Sequence, residues 1–377
     1  MVTLAVAALS ARMMAESAAQ AGFHVIALDL FGDRDTRRAS TEWLPIGAAG
    51  GLRIDTEQTL AALHGLARRG DVTGWVAGSG FEGLPALLEQ GADMLPRIGT
   101  TAAAVRRVRN PLGFFGFLDA VHIGHPPICF EPPADPANWL IKNALGTGGW
   151  HIRDAHSALD AELPEHSYFQ RRAPGTPMSA TFIANGSDVC VLGFNDMIVR
   201  RRGALPFVFC GAVGPVLVAA EVARQVTRAL RLLVTEFSLR GLGSLDFMLH
   251  GDSMAVLELN PRPSASMGSY SQHLRQGLMA AHVRACVQAE LPQPATTAQQ
   301  LHGTETVFAR HPLLLDEPAS ARLAQWPHAH DLPFAGAAFA AGDPVCSVSA
   351  SGTSAGQVRT QLTERREALL NNLEIWA

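Results

Sequence analysis

Asp246, Glu258 and Asn260 are oxygen-bearing residues gathered in one short stretch, and Pro261-Arg262-Pro263 follows them directly. Glu258 and Asn260 lie one residue apart on a strand, so their side chains share a face. Asp246 precedes them across the turn Gly251-Asp252, and antiparallel pairing would bring it alongside. Two carboxylates and an amide oxygen are hard donors suited to Mg²⁺, which takes its remaining ligands from water and substrate phosphates. The same residues also suit a plain hairpin, with an Asp at a strand edge and Asn-Pro opening a turn. A second group surrounds Lys142, the only lysine among 30 basic residues. It ends an apolar run and is followed by Gly146-Thr147-Gly148-Gly149. A lysine leaving a strand offers phosphate oxygens a compact point charge, and N–H groups of a glycine loop can close over the same phosphates. A surface lysine beside an ordinary glycine turn is the bland alternative.

The elements that must position these residues begin with an α/β unit. Apolar segments Leu4–Leu9, Val25–Leu30, Glu42–Ile46 and Thr73–Val76 alternate with helical stretches Arg12–Ala21, Thr56–Arg69 and Gly83–Gln90. That alternation predicts parallel pairing through right-handed crossovers. No GxGxxG follows the first strand, so a dinucleotide site has little support, and Asp29 is expected to cap a helix or loop. A helical patch at Thr100–Val108, an aromatic cluster at Phe114, Phe115 and Phe117, and a Pro-rich linker from Pro126 to Pro136 come next. Strands are expected at Ser167–Arg171, Ser179–Asn185, Val189–Asp196 and Met254–Leu259, with an amphipathic helix over Val216–Leu239. The tail from Thr304 reads as short strands and turns, closed by a charged helix from Ser354 to Leu373. Three domains follow: 1–99, 100–290 and 291–377.

Composition narrows the class. Five cysteines without a CxxC argue against a zinc site or a disulfide scaffold and for a reducing, cytoplasmic setting. No apolar run reaches the ~18–20 residues of a membrane span. The opening residues read as strand then helix rather than a signal peptide. A net charge of −4 without a basic stripe gives no reason to expect nucleic acid. No Ser-His-Asp or Cys-His arrangement calls for covalent catalysis. His328 and His330 form an HxH without a third partner nearby, which favours a turn approaching Asp331 over a metal site.

Together the motifs resemble the ATP-grasp superfamily along almost the whole chain. The strand lysine and flexible glycine loop stand in WLIKNALGTGG, the hinge strand in YFQRRAPGTPMSATF, and the acidic pair of strands in GSLDFMLHGDSMAVLELNPRPSAS. The resemblance implies a mixed α/β and α+β architecture: a pre-ATP-grasp parallel α/β domain, the ATP-grasp domain, and a small C-terminal β-rich domain. The segment AQWPHAHDLPFAGAAFAAGDPVCSVSASG resembles that last domain in biotin-carboxylase-like and purine-pathway members. By the same resemblance, Asp246, Glu258 and Asn260 hold Mg²⁺, with Mn²⁺ as an alternative, and Lys142 with Gly146, Thr147, Gly148 and Gly149 contacts the phosphates of ATP. Tyr168, Phe169, Gln170 and Arg171 match the hinge whose backbone reads adenine, and Arg262 matches the arginine supporting the transferred phosphate. Two departures stand out. Members commonly carry a further lysine near the helix matching Thr100–Arg109, where this chain offers only Arg106, Arg107 and Arg109, and Gln170 replaces a frequent glutamate. The implied activity is carboxylate–amine ligation through an acyl-phosphate. The alternatives are a biotin-carboxylase-like enzyme using bicarbonate, a regulatory ATP binder without turnover and, disfavoured by the absent glycine fingerprint, a nicotinamide oxidoreductase. Expected partners are small-molecule carboxylate and amine substrates, lined by Ser264-Ala265-Ser266 and the N-terminal domain, and a second copy of the chain in a homodimer.

Overall fold

The computed structural model describes residues 2–48, 52–157, 163–271, 274, 276–293 and 300–376. It opens with four parallel strands in the order Glu42–Pro45, His24–Asp29, Thr3–Ala7 and Val72–Ala77. The central strand Thr3–Ala7 is buried throughout, as expected for a parallel strand covered on both faces. Helices Arg12–Gln20, Thr56–Arg69 and Pro85–Met94 provide that cover. The second of these starts where Asp55 accepts the Gln58 N–H at 2.9 Å and stops at Gly70, whose φ of 74° suits a residue without a Cβ. Parallel strands gather their carboxyl ends at one edge, the usual place for a ligand crevice. Ser10, Asp33, Ser79 and Glu82 sit on the loops there. Asp29 is the cap that was expected, accepting N–H groups of Ala11, Phe31 and Gly32 and the Trp43 indole.

Helices Ala102–Val108 and Pro111–Ala120 lead into a small antiparallel sheet, ordered Ile128–Cys129, Ser167–Arg171, Trp139–Asn143 and Arg153–Asp154. The Pro-rich segment expected as a linker therefore supplies an edge strand. The largest sheet has eight strands: Ser253–Asn260, Arg240–His250, Thr176–Asn185, Val189–Arg202, Leu205–Val216, Leu301–Phe308, Pro344–Gly352 and Ala329–His330. Leu205–Val216 was not foreseen, because Pro206, Gly211, Gly214 and Pro215 break its apolar pattern. Gly211 is needed there: a Cβ would stand 2.0 Å from the Thr304 carbonyl oxygen of the neighbouring strand. Through that contact the sheet runs on past the expected boundary at 290/291. His328 precedes the short strand Ala329–His330, where His330 bonds Ser349 at 2.8 Å, and Asp331 follows with a φ of 55°.

One helix holds the central lobe together. Ala220–Phe237 buries Val222, Val226, Ala229, Leu230, Leu233, Val234 and Phe237, a single face at helical spacing, against Phe182, Phe247 and Val256. Shortening Leu233 leaves a void that the packed sheet beneath cannot fill. We expect Leu233→Ala to lower the unfolding free energy by about 2–5 kcal/mol in denaturant titrations. Exposed Arg231→Ala on the opposite face should change it by no more than about 0.5 kcal/mol. Equal losses at the two positions would refute this reading of the helix.

Candidate active site

The antiparallel hairpin pairs Asp246 with Glu258 and Ser244 with Asn260. The three expected side chains therefore converge on one face. The Asn260 amide nitrogen donates to Asp246 Oδ2 and to Glu258 Oε1, each at 3.2 Å, while its oxygen accepts from Arg109 at 3.0 Å and Arg262 at 3.4 Å. Burial and the adjacent Glu258 carboxylate push Asp246 well above the usual carboxylate range. Burial also works against the Glu258 charge, but Arg109, Lys142, His151 and the Asn260 amide outweigh it and hold Glu258 low. The donor set suits a hard divalent cation: Asp246 and Glu258 stand side by side with the Asn260 amide between them, and a cation would relieve the repulsion of their ionised forms. Asn260 could add its oxygen only after turning its amide over.

Lys142 faces the same ground from the small sheet, where it pairs with Tyr168. Only 4% of it is exposed, and among the described residues its amine makes neither hydrogen bond nor ion pair. Burial lowers its pKa, against the opposing pull of Glu258 and Asp246. It lines a cleft of about 730 Å³ with Asp246, Glu258, Asn260 and Arg262. Thr147, Gly148 and Gly149 line it too. The loop is folded down on strand Leu205–Val216: Phe209 N–H donates to Gly148 O at 3.0 Å, and a Cβ on Gly149 would lie 1.9 Å from Phe207 O. Gly146 is equally confined, since a Cβ would overlap the His151 ring.

The four hinge residues have different surroundings. Gln170 and Arg171 line the cleft, whereas Phe169 is fully buried against Ile141 and Ala155, and Tyr168 packs beside Phe115. Among the described residues the buried Gln170 side-chain nitrogen has no partner and stands as an unused donor at the cleft wall.

Four segments distant in sequence meet at a residue that was not singled out. Glu82, 2% exposed, forms an ion pair with Arg262 and lies 3.5 Å from Arg109. Its second oxygen accepts the Gly80 N–H at 2.7 Å, and Thr147 Oγ1 lies 3.4 Å from the first. Burial opposes its charge, but Arg262 and Arg109 bring its pKa below the ordinary 4.5. Of the arginines near the expected helix lysine, Arg106 and Arg107 pair at the surface with Glu89 and Glu236. Arg109 alone enters the site, 4.0 Å from Glu258. His151 also lines the cleft, and burial lowers its pKa to about 4, so its ring is neutral near pH 7. Neither Glu82 nor His151 stands in a pattern that sequence spacing could have marked.

The fold and this site can be set beside known proteins. Residues 114–266 match the model of an ATP-grasp domain. N5-carboxyaminoimidazole synthase from Aspergillus clavatus, in complex with ADP and 5-aminoimidazole ribonucleotide, superposes with a TM-score of 0.69 at 16% identity, over 97% of this chain and 98% of that one. An L-amino acid ligase from Bacillus licheniformis gives 0.71 at 14%, over 97% of each chain. Biotin carboxylase from Campylobacter jejuni gives 0.73 at 11%, over 98% of this chain and 95% of that one. No curated protein sequence matches the chain. Residues 114–266 thus match an ATP-grasp domain, and the chain as a whole shares the fold of these solved structures, in line with the motifs quoted above. Among the described residues no helix is long and apolar enough to cross a membrane.

Glu82 generates a prediction with a definite sign. Its folded pKa lies below 4.5, so its stabilisation is complete above that pH and is lost as pH falls through the folded value. Glu82→Gln leaves Arg262 and Arg109 facing a neutral amide and should cost about 3–5 kcal/mol at pH 7. Denaturant titrations at pH 7 and pH 3 should show the gap to the parent protein narrowing in acid. A gap of constant size would sink the assignment.

Proposed function

We propose that this protein is an ATP-dependent carboxylate–amine ligase working through an acyl-phosphate. The observation that carries the reading is the convergence of an unpaired buried lysine, a folded glycine loop, an acidic pair and Arg262 on one cleft. The similar L-amino acid ligase, and the synthase bound to ADP, support ATP as the energy source. Mg²⁺, or Mn²⁺, would supply charge neutralisation at the phosphates, held by Asp246 and Glu258 with Asn260 beside them. Lys142 holds phosphate oxygens from the sheet side, and the N–H groups of Gly148 and Gly149 approach from above. The Gln170 amide and the Arg171 backbone bind the base. Arg262, steadied by Glu82, balances charge on the group in transfer. The substrate carboxylate oxygen attacks the γ-phosphorus as the bond to the β-bridging oxygen breaks, leaving ADP and an acyl-phosphate. An amine nitrogen then bonds to the acyl carbon, phosphate departs, and the nitrogen gives up a proton. Positioning and fixed charge supply the rate, and no residue forms a covalent intermediate.

Hydroxylamine provides the test, because it intercepts an acyl-phosphate as a hydroxamate even when the natural amine is unknown. Protein, Mg²⁺-ATP, hydroxylamine and pools of amino and dicarboxylic acids should give equal, carboxylate-dependent amounts of hydroxamate and ADP. Lys142→Ala should reduce both by about 100-fold or more while leaving thermal unfolding unchanged, since one charge aimed at the phosphates is lost. ADP that depends on bicarbonate, without hydroxamate, would favour the biotin-carboxylase-like reading. ATP binding with no ADP from any pool would favour a regulatory ATP binder.

A further inference from the structure

A second cavity of about 450 Å³ opens beside the nucleotide cleft and shares Leu9, Ser79, Trp150, Phe209, Ser264 and Ala265 with it. It lies between the carboxyl edge of the parallel sheet and the C-terminal strands, and Phe31, Phe308, Phe334 and Phe339 contribute aromatic surface to it. Three charged side chains reach its wall: Arg12, Asp331 and Asp33. Arg12 is fully engaged. It clasps Asp331 through two hydrogen bonds of 2.7 and 3.2 Å, bonds Glu16 at 2.9 Å and stands 3.5 Å from Asp35. Asp331 also accepts from Ser10 and Ser347. Asp35 takes the backbone N–H groups of Asp331 and Leu332.

Asp33 is different. It is 5% exposed, and among the described residues its carboxylate makes no hydrogen bond or ion pair. It stands at the cap position of helix Arg34–Ala39 and yet gives that helix no side-chain bond. An unpaired buried carboxyl group is costly unless a ligand completes it. Burial and the nearby Asp331, Asp29 and Asp35 raise its pKa to about 8 against the pull of Arg12, so a positive ligand is what would stabilise its ionised form. No uncommitted cation lines the cavity among the described residues, which disfavours a phosphorylated or purely anionic occupant.

We propose that this cavity binds a small organic ammonium compound, an amine or amino acid with an apolar body of about aromatic size, through an ion pair to Asp33. On the ligase reading this is one of the two substrates, and the proposal rests on that reading only for the occupant's fate. Binding is therefore measured without nucleotide, by calorimetry with phenethylamine, isoamylamine, L-phenylalanine, 3-phenylpropionate and phenyl phosphate. At least one ammonium probe should bind about tenfold or more tightly than 3-phenylpropionate and phenyl phosphate. The contrast between phenethylamine and L-phenylalanine separates an amine from an amino acid. Asp33→Asn should weaken the ammonium probes about tenfold or more, leave 3-phenylpropionate unchanged or tighter, and leave ATP affinity unaltered. Because the replacement removes a charge crowded by other carboxylates, the variant should unfold at the same or higher temperature at pH 8. Failure of all three ammonium probes to bind, equal binding of the anionic probes, or unchanged ammonium affinity in Asp33→Asn would each overturn the proposal. The hydroxamate assay run in parallel keeps the two readings apart. ADP and hydroxamate formed by the parent, with ammonium affinity unchanged in Asp33→Asn, leaves the ligase standing without this site. Ammonium binding without ADP leaves the site standing without the ligase.

Discussion

A carboxylate taken out of water must be matched at once by positive charge, and the arrangement around Glu82 follows from that requirement. The group sits on the loop after strand Val72–Ala77, yet its partners Arg109, Thr147 and Arg262 come from a helix end, the glycine loop and the turn beyond the acidic hairpin. Loop, helix and hairpin are fixed relative to one another by a single buried anion. The metal-type pair inherits this order. Arg109 reaches both Glu82 and Asn260, and Asn260 in turn touches Asp246 and Glu258, so the acidic face is oriented through a chain of charge-assisted bonds. Three carboxylates, Glu82, Asp246 and Glu258, face Arg109, Arg262 and Lys142. With Asp246 pushed toward its neutral form and Arg171 and Arg172 also on the wall, the cleft carries an excess of positive charge, which suits a polyanion.

The C-terminal segment completes the cavity as well as the sheet. Strand Leu301–Phe308 adds to Leu205–Val216, and Pro344–Gly352 adds to it in turn, which carries Asp331 back to the N-terminal layer. Arg12 and Asp35 then hold Asp331 by side-chain and backbone bonds. The walls around Asp33 thus come from opposite ends of the chain, and the charge pairing that joins those ends leaves Asp33 as the one carboxylate there without a described partner.

Features carried by local spacing were legible in the sequence. Lys142 stood out by composition and by its place before glycines, and strand alternation put Glu258 and Asn260 on one face. The N-terminal strands and the helix Thr56–Arg69 follow from apolar periodicity with Asp55 and Gly70 as end signals. Residues whose role depends on distant partners were not legible. Glu82 lies in Gly80-Phe81-Glu82-Gly83, where no periodic pattern gives it a direction. Arg109 seemed one of three substitutes for a missing lysine, and only packing separates it from Arg106 and Arg107. Strand Leu205–Val216 escaped notice because close approach to its neighbour requires glycine where a pattern search expects apolar side chains. Phe169 and Gln170 are neighbours in the sequence, but the pleat of one short strand sends their side chains to different surroundings, which the hinge motif, a matter of backbone, does not specify.

The contrast between Lys142 and the arginines around it has a physical basis. Arg262 acts as a fixed fork, its donors met by Glu82, Pro263 and Asn260, while Arg109 bonds Asn260 and stands 3.5 Å from Glu82. A guanidinium carries five N–H donors in one plane, and each one buried without an acceptor has a cost. At position 142 no described protein acceptor stands within bonding distance, so an arginine there would leave much of its fork unsatisfied between visits of a ligand. An ammonium group has three donors on a flexible stem, can lean toward Glu258 and Asp246 when the cleft holds no anion, and can turn all three toward one phosphate when it does. In a chain that otherwise uses arginine for every basic position, the single lysine occupies a buried place at the cleft where no described acceptor braces it.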